Sequence, residues 1–122
     1  MTDAAKIADS YIALWNETDR DRRLTLIAGS WTEDAHYRDP LMQGDGHDGI
    51  DALIAGVHHQ FPGCRFALRG TPDGYNDRVR FSWSLAPEGA PPVAHGTDFV
   101  LLSGDGKIRD ATGFLDMAPT GA

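Results

Sequence analysis

Three side chains in this sequence have the types and surroundings needed to move protons: Tyr11, Asp39 and Asp98. Asp98 is the most informative. It stands in His95-Gly96-Thr97-Asp98-Phe99-Val100-Leu101-Leu102, where both alternating faces turn apolar after it, so the face it joins is expected to be covered. A covered carboxyl is desolvated, which disfavours its charged form, and a protonated Asp can donate a hydrogen bond that an ionised one cannot. The plainer alternative is a strand-end Asp, solvated or paired with Arg80 or Arg109. Asp39 precedes Pro40, whose ring holds it extended at the end of a short strand. It reads as a turn residue or, beside a pocket, as a carboxylate able to take a proton. Tyr11 lies on an apolar helical stripe with Ala8 and Trp15, so its ring belongs to the core while its hydroxyl needs a partner. That hydroxyl acquires chemistry only if it shares a cavity with Asp98.

Other constellations lead nowhere. The five histidines, His36, His47, His58, His59 and His95, fall in no metal-ligand spacing, and no metal is expected. There is no Gly-x-Ser-x-Gly elbow. Gly44-x-Gly46-x-x-Gly49 lacks the parallel strand and crossover of a dinucleotide fold and reads as a loop, so no cofactor is expected. Cys64 is the only cysteine, which permits no intramolecular disulfide and fits a cytoplasmic chain; beside Phe66 it reads as a small core residue. A count of 11 Lys and Arg against 18 Asp and Glu gives −7, which leaves no basic surface for nucleic acid or an anionic membrane. Neither a targeting segment nor a membrane span is expected.

The elements that must position these residues follow from periodicity. Ala4, Ala8, Tyr11, Ile12 and Trp15 predict a helix from Asp3 to Asn16, capped by Thr2 or Asp3. A second helix, capped by Asp19, carries Leu24, Ile27, Ala28 and Trp31 and ends near Gly29. Ala35 to Asp39 reads as a brief strand and Gln43 to Gly49 as a loop. A third helix, capped by Asp48, presents Ile50, Leu53, Ile54, Val57 and Phe61 and stops at Pro62-Gly63. Beyond it the period becomes two. Strands are expected around Cys64 to Arg69, Val79 to Leu85, Val93 to Ser103 and Lys107 to Leu115, with turns at Pro72-Asp73-Gly74, Glu88 to Pro92 and Ser103 to Gly106. With 122 residues, 41% of them hydrophobic, this is one α+β domain over residues 1–122, an antiparallel sheet with three helices on one face. Strong curvature would enclose a pocket between the sheet and the third helix.

The order of elements and several local strings resemble the nuclear transport factor 2-like superfamily, and within it the SnoaL-like and ketosteroid isomerase-like branch. The strings are Tyr11 to Asp19, Asp34 to Pro40, Gly46 with Ile50, Gly96 to Phe99, and Gly106-Lys107-Ile108, and together they span nearly the whole chain. The resemblance implies a cone of curved sheet with three helices closing an apolar pocket, commonly as a homodimer. It also implies roles. In ketosteroid isomerases an aspartate in an Asp-Pro context removes a proton next to a carbonyl, and Asp39 matches it. A first-helix tyrosine and a protonated late-strand aspartate donate to the resulting oxyanion, and Tyr11 and Asp98 match these; ketosteroid isomerase is itself the established case of a carboxylic acid kept neutral by an apolar site. Trp31 and Ile54 stand where steroid isomerases carry supporting tyrosines, and the Tyr11–Asp39 segment is about four residues longer than usual, which argues against a steroid substrate. In SnoaL-like cyclases a corresponding aspartate acts alone, for which His95 or His58 would be the partner.

The leading expectation is therefore a cofactor-independent isomerase or cyclase acting on a small apolar carbonyl compound. Asp39 is its base, Tyr11 and Asp98 its oxyanion donors, and Trp15, Val57, Phe61, Trp83 and Phe114 its pocket walls. The alternatives are a noncatalytic binding or dimerisation domain, or a hydratase, dehydratase or epoxide hydrolase using the same pocket, because one fold hosts many functions.

Overall fold

The structure is a computed structural model that describes residues 3–118. Helix α1 (Ala4–Asn16) starts where Asp3 accepts the Lys6 backbone N–H at 3.1 Å, and it buries Ala8, Tyr11, Leu14 and Trp15 as one stripe. Its last residue ties it to the sheet: the Asn16 amide donates to Phe66 O at 2.9 Å and accepts from Phe66 N at 2.7 Å.

Helix α2 (Arg20–Ser30) is capped by Asp19, which accepts from Arg22 N at 2.9 Å. It runs through Gly29, and Trp31 is not on it but opens the next strand. Its buried residues are Arg23 and Ile27, while Ala28 is exposed. The reason is electrostatic. Arg23 Nε meets Asp51 Oδ1 at 2.6 Å and its Nη1 donates to Glu17 O at 3.1 Å, so an ion-paired cation occupies an inward position that periodicity reserves for apolar residues.

Strand β1 (Trp31–Arg38) begins four residues before the expected Ala35. A register shift between Trp31 and His36 turns Glu33 and Asp34 to solvent, which interrupts the alternation that marks a strand. The expected loop after it is instead strand β2 (Gln43–Asp45) running directly into helix α3 (Gly46–Gln60). The cap position is Asp45, not Asp48, which lies in the first turn. Asp45 makes no capping bond; its carboxylate pairs with His36 across the β1–β2 ladder. The Gly-x-Gly-x-x-Gly string thus spans an antiparallel edge strand and a helix start, not a phosphate loop.

Strand β3 (Cys64–Tyr75) continues through Pro72-Asp73-Gly74, which is not a turn. The turn lies at Asn76-Asp77, with Asn76 at φ 49°, before strand β4 (Arg78–Pro87). Pro72 is tolerated because β3 is the edge of the sheet, where a missing N–H forfeits little. Strands β5 (Ala94–Leu102) and β6 (Ile108–Met117) complete the order β2-β1-β6-β5-β4-β3. The β1–β6 pairing is parallel, so the sheet is mixed and not wholly antiparallel. Register breaks in the β1–β6, β3–β4 and β5–β6 ladders curve this open sheet. Its concave side receives α1 over β3 and β4 and α3 over β1, with Trp31, Phe81, Leu14, Ile27, Ile50 and Ile54 fully buried between the layers. None of the described helices is long and apolar enough to cross a membrane.

Candidate active site

Alternation along β5 points Ala94, Gly96, Asp98 and Val100 into the layer interior and Phe99 out. Asp98 is only 2% exposed, so the covered-face reading holds. Two donors reach it. Tyr11, from the inner stripe of α1, places its Oη 2.6 Å from Asp98 Oδ2, and the Trp83 indole Nε1–H donates to Oδ1 at 3.0 Å. Trp83 can do this because its cross-strand neighbour is Gly96. A Cβ at that glycine would stand 2.8 Å from Trp83 Cζ2 and 2.3 Å from the Phe114 carbonyl oxygen, so only a bare backbone lets the indole lie across β5.

Asp39 follows the end of β1 and is the second carboxylate. Its Oδ1 accepts Leu41 N at 2.8 Å and Met42 N at 3.0 Å, fastening the Pro40 turn, while Tyr37 Oη donates to Oδ2 at 2.7 Å. Oδ1 thus has both lone pairs engaged and Oδ2 keeps one. Asp98 and Asp39 approach each other over Gly113, the direct cross-strand partner of Asp98. A Cβ there would lie 2.8 Å from Asp98 Oδ1, 3.1 Å from Asp39 Cβ and 3.5 Å from Tyr37 Oη. Two tyrosine–aspartate pairs therefore face one another.

Burial pushes the Asp98 carboxyl up to about 6; the Tyr11 and Trp83 hydrogen bonds oppose this, and the Asp39 charge adds to it. The shift has the expected direction. Its extent is smaller than full neutralisation requires, because two donors stabilise the carboxylate that burial disfavours. Burial, followed by the Asp98 charge, likewise pushes the Tyr11 and Tyr37 hydroxyls well above the ordinary tyrosine value, so both remain donors.

Tyr11, Tyr37, Asp39 and Asp98 line one cavity of about 60 Å³. One water needs roughly 10–15 Å³ on the same measure, so there is room for several waters or a small molecule. Trp15, Val57, Phe61 and Trp83 are among its walls, joined by Phe66 and Leu115, and the largely exposed Leu41 lies at its rim. Phe114 does not belong. The pleat of β6 sends Gly113 and Leu115 inward and Phe114 outward, where it is 55% exposed and packs edge-on against Phe99 at 6.1 Å. His95 shares the outward parity of Thr97 and Phe99, and the His58 ring nitrogen contacts Trp15 O at 2.7 Å; neither is a partner for Asp98. Trp31 packs against the Tyr11 ring at 5.9 Å between centroids, and Ile54 is core. Among the described residues no group of three His, Cys, Asp or Glu is arranged to hold a metal.

Sequence reasoning missed Tyr37 and the donor role of Trp83. The first was legible as Tyr37-x-Asp39, since residues two apart on an extended chain share a face. The second depends on which strand pairs with which.

Comparison with known proteins adds the following. The family model described as a SnoaL-like domain matches residues 8–111. A crystal structure from Agrobacterium tumefaciens, described provisionally as an isomerase of the SnoaL-like family, is 48% identical at a TM-score of 0.91, covering 95% of this chain and 99% of that one. A protein of unknown function from Exiguobacterium, described as NTF2-like, is 21% identical at a TM-score of 0.71, covering 90% and 98%. One from Sinorhizobium meliloti, described provisionally as a polyketide cyclase, is 14% identical at a TM-score of 0.66, covering 88% and 93%. The last two show likeness of fold alone. Among curated proteins none matches.

Proposed function

This chain belongs to the SnoaL-like family, with its curved NTF2-like fold, and on that premise we propose that it catalyses cofactor-independent proton transfer next to the carbonyl of a small, largely apolar compound. One observation carries the reading: a Tyr11–Asp98 pair at 2.6 Å and a second carboxylate, Asp39, open onto the same apolar-walled cavity. Asp39 Oδ2, the oxygen with a lone pair to spare, takes the proton from the carbon beside the carbonyl. The C–H electrons become the new C=C bond and the carbonyl π electrons move onto oxygen. With Asp98 protonated, the Tyr11–Asp98 pair has a proton to donate to that oxyanion inside an apolar-walled cavity. Returning the proton from Asp39 to another carbon completes an isomerisation in which nothing is oxidised or reduced.

The test is ultraviolet absorbance. A β,γ-unsaturated ketone is expected to gain conjugated-enone absorbance with the protein, and Asp39→Asn, with unchanged circular dichroism, to lower the rate by at least about 100-fold, the lower range of general-base contributions. No change over a panel of such ketones would refute the reading. Retained binding indifferent to Asp39→Asn would support a noncatalytic binding domain instead. The proposal extends to a cytoplasmic homodimer, to which the exposed Phe99–Phe114 pair offers an apolar contact, and sedimentation tests it.

A further inference from the structure

The cavity is polar at its floor and apolar at its mouth. Tyr11, Tyr37 and Asp98, which carry its hydroxyls and one carboxyl, are at most 4% exposed. Apart from Asp39, the lining residues that solvent reaches are all apolar, among them Ile12, Met42, Phe61 and Leu115, and Leu41 is 69% exposed. A large apolar side chain left in water at the edge of an apolar cavity is unfavourable until something covers it. The turn that carries it is fixed. Asp39 N donates to Met42 O at 2.9 Å, Leu41 N and Met42 N donate to Asp39 Oδ1 at 2.8 and 3.0 Å, and Pro40 holds its own φ. The Leu41 side chain is therefore the part of this rim that can close over a ligand. Capacity points the same way. At roughly 10–15 Å³ for each water-sized group, a cavity of about 60 Å³ holds about four to six of them, which butan-2-one or pentan-2-one already fills. A longer compound must extend past the mouth.

Resting on the reading above that a ligand carbonyl occupies this cavity, we infer that Leu41 is a specificity-determining residue and that the substrate is an amphiphile. Its carbonyl head lies at the floor, and an oxygen-poor hydrocarbon tail leaves by the mouth under Leu41. The direction follows from the gradient of polarity. Reversed, the ligand would set hydrocarbon against the tyrosines and carboxyls and leave its own oxygen among Phe61 and Leu115, forfeiting hydrogen bonds at both ends. A chain with a carbonyl on every second carbon is disfavoured for the same reason. Its oxygens at the mouth would be covered by apolar side chains, and the N–H groups of Leu41 and Met42 are already given to Asp39. Leu41 contributes no chemistry: it touches the tail, and that contact removes apolar surface of both from water.

The probes are the alkan-2-ones from butan-2-one to nonan-2-one, with binding followed by tryptophan fluorescence, since Trp15 and Trp83 line the cavity. With wild-type protein Kd is expected to fall about fourfold per methylene, as for a buried CH₂, and to keep falling past pentan-2-one. Leu41→Ser, at a position too exposed to disturb folding, keeps the affinity for butan-2-one and loses most of the gain from each methylene beyond pentan-2-one. Leu41→Met, with an apolar side chain of similar volume, restores that gain. Leu26→Ser on α2, 40% exposed and off the cavity, leaves the series unchanged. 5-Methoxypentan-2-one, in which an oxygen replaces one methylene of heptan-2-one, is expected to bind about tenfold more weakly, because that oxygen loses water and gains no donor. A wild-type series that levels off at pentan-2-one, or a Leu41→Ser series as steep as wild type, overturns the inference. So does equal affinity for 5-methoxypentan-2-one and heptan-2-one. Binding needs no proton transfer, so a steep, Leu41-dependent series without isomerisation of any β,γ-unsaturated ketone sustains the inference and refutes the proposed reaction. Isomerisation at a rate indifferent to tail length and to Leu41→Ser does the reverse.

Discussion

Substituting Gly113 by Ala tests how tightly the two carboxylates are packed against β6. The added Cβ would stand 2.8 Å from Asp98 Oδ1, the oxygen held by Trp83, and 3.1 Å from Asp39 Cβ. Carbon contacts are comfortable at about 3.5 Å or more, so one of these groups must move by several tenths of an ångström. Each is anchored. Asp98 is held by Tyr11 and Trp83, Asp39 by two backbone N–H groups and Tyr37, and Gly113 by its own ladder. Overpacking of this kind costs about 1–3 kcal/mol. At roughly 4 °C per kcal/mol for a chain of this length, Tm should fall by about 4–12 °C. The matched control is Gly29→Ala on α2, where an added Cβ meets nothing within 4 Å. Replacing a helical glycine there should gain about 0.5–1 kcal/mol and raise Tm by a few degrees. Thermal melts followed by circular dichroism read both, and tryptophan fluorescence reports whether the Trp83 environment changes. A Gly113→Ala protein that melts within about a degree of wild type would refute the packing argument.

Asp98→Asn should change how stability depends on pH. With its carboxyl at about 6 in the folded protein against an ordinary 3.8, the folded state binds this proton more tightly than the unfolded state. Stability contributed by the group is therefore present below about pH 4 and declines as pH rises to about 6, by at most about 3 kcal/mol. The Asn variant lacks that decline, so melts from pH 4 to pH 7 should show it gaining on wild type; parallel profiles would contradict the buried-carboxyl assignment. Asp51→Ala leaves the Arg23 guanidinium, 5% exposed, without its carboxylate, and urea unfolding should register a loss of about 3–5 kcal/mol. A loss below about 1 kcal/mol would mean that the pair is not effectively desolvated.

Pattern reasoning worked where an element is set by its own residues. Tyr11 and Trp15 were legible because α1 is a clean stripe, and the late strands because Val79, Phe81, Trp83 and Leu85 alternate without interruption. It failed where distant partners rewrite the local signal. Arg23 reads as a solvent residue until Asp51, 28 positions on, neutralises it. Glu33 and Asp34 hide the start of β1 because a bulge, which only pairing with β6 defines, turns both outward. Pro72 reads as a turn until β3 is known to be an edge.

For the site, the sequence by itself determined the residue types and, through the helix period, that Tyr11 faces inward, while for Asp98 it offered an inward-facing reading beside a solvated strand-end one. Side-chain direction along one element is a local property of backbone geometry, so composition and spacing suffice for it. Only the tertiary structure decided that these two inward directions meet at 2.6 Å across 87 positions of chain. It also decided that Trp83 crosses Gly96 to take the other oxygen, that Phe114 turns away, and that Asp39 and Asp98 converge over Gly113. Those outcomes depend on strand order and register, and a register change of one residue would send every side chain of β6 to the opposite face. The degree to which Asp98 stays charged belongs to the same class, because burial and its two hydrogen bonds act on it in opposite directions and all come from other parts of the chain.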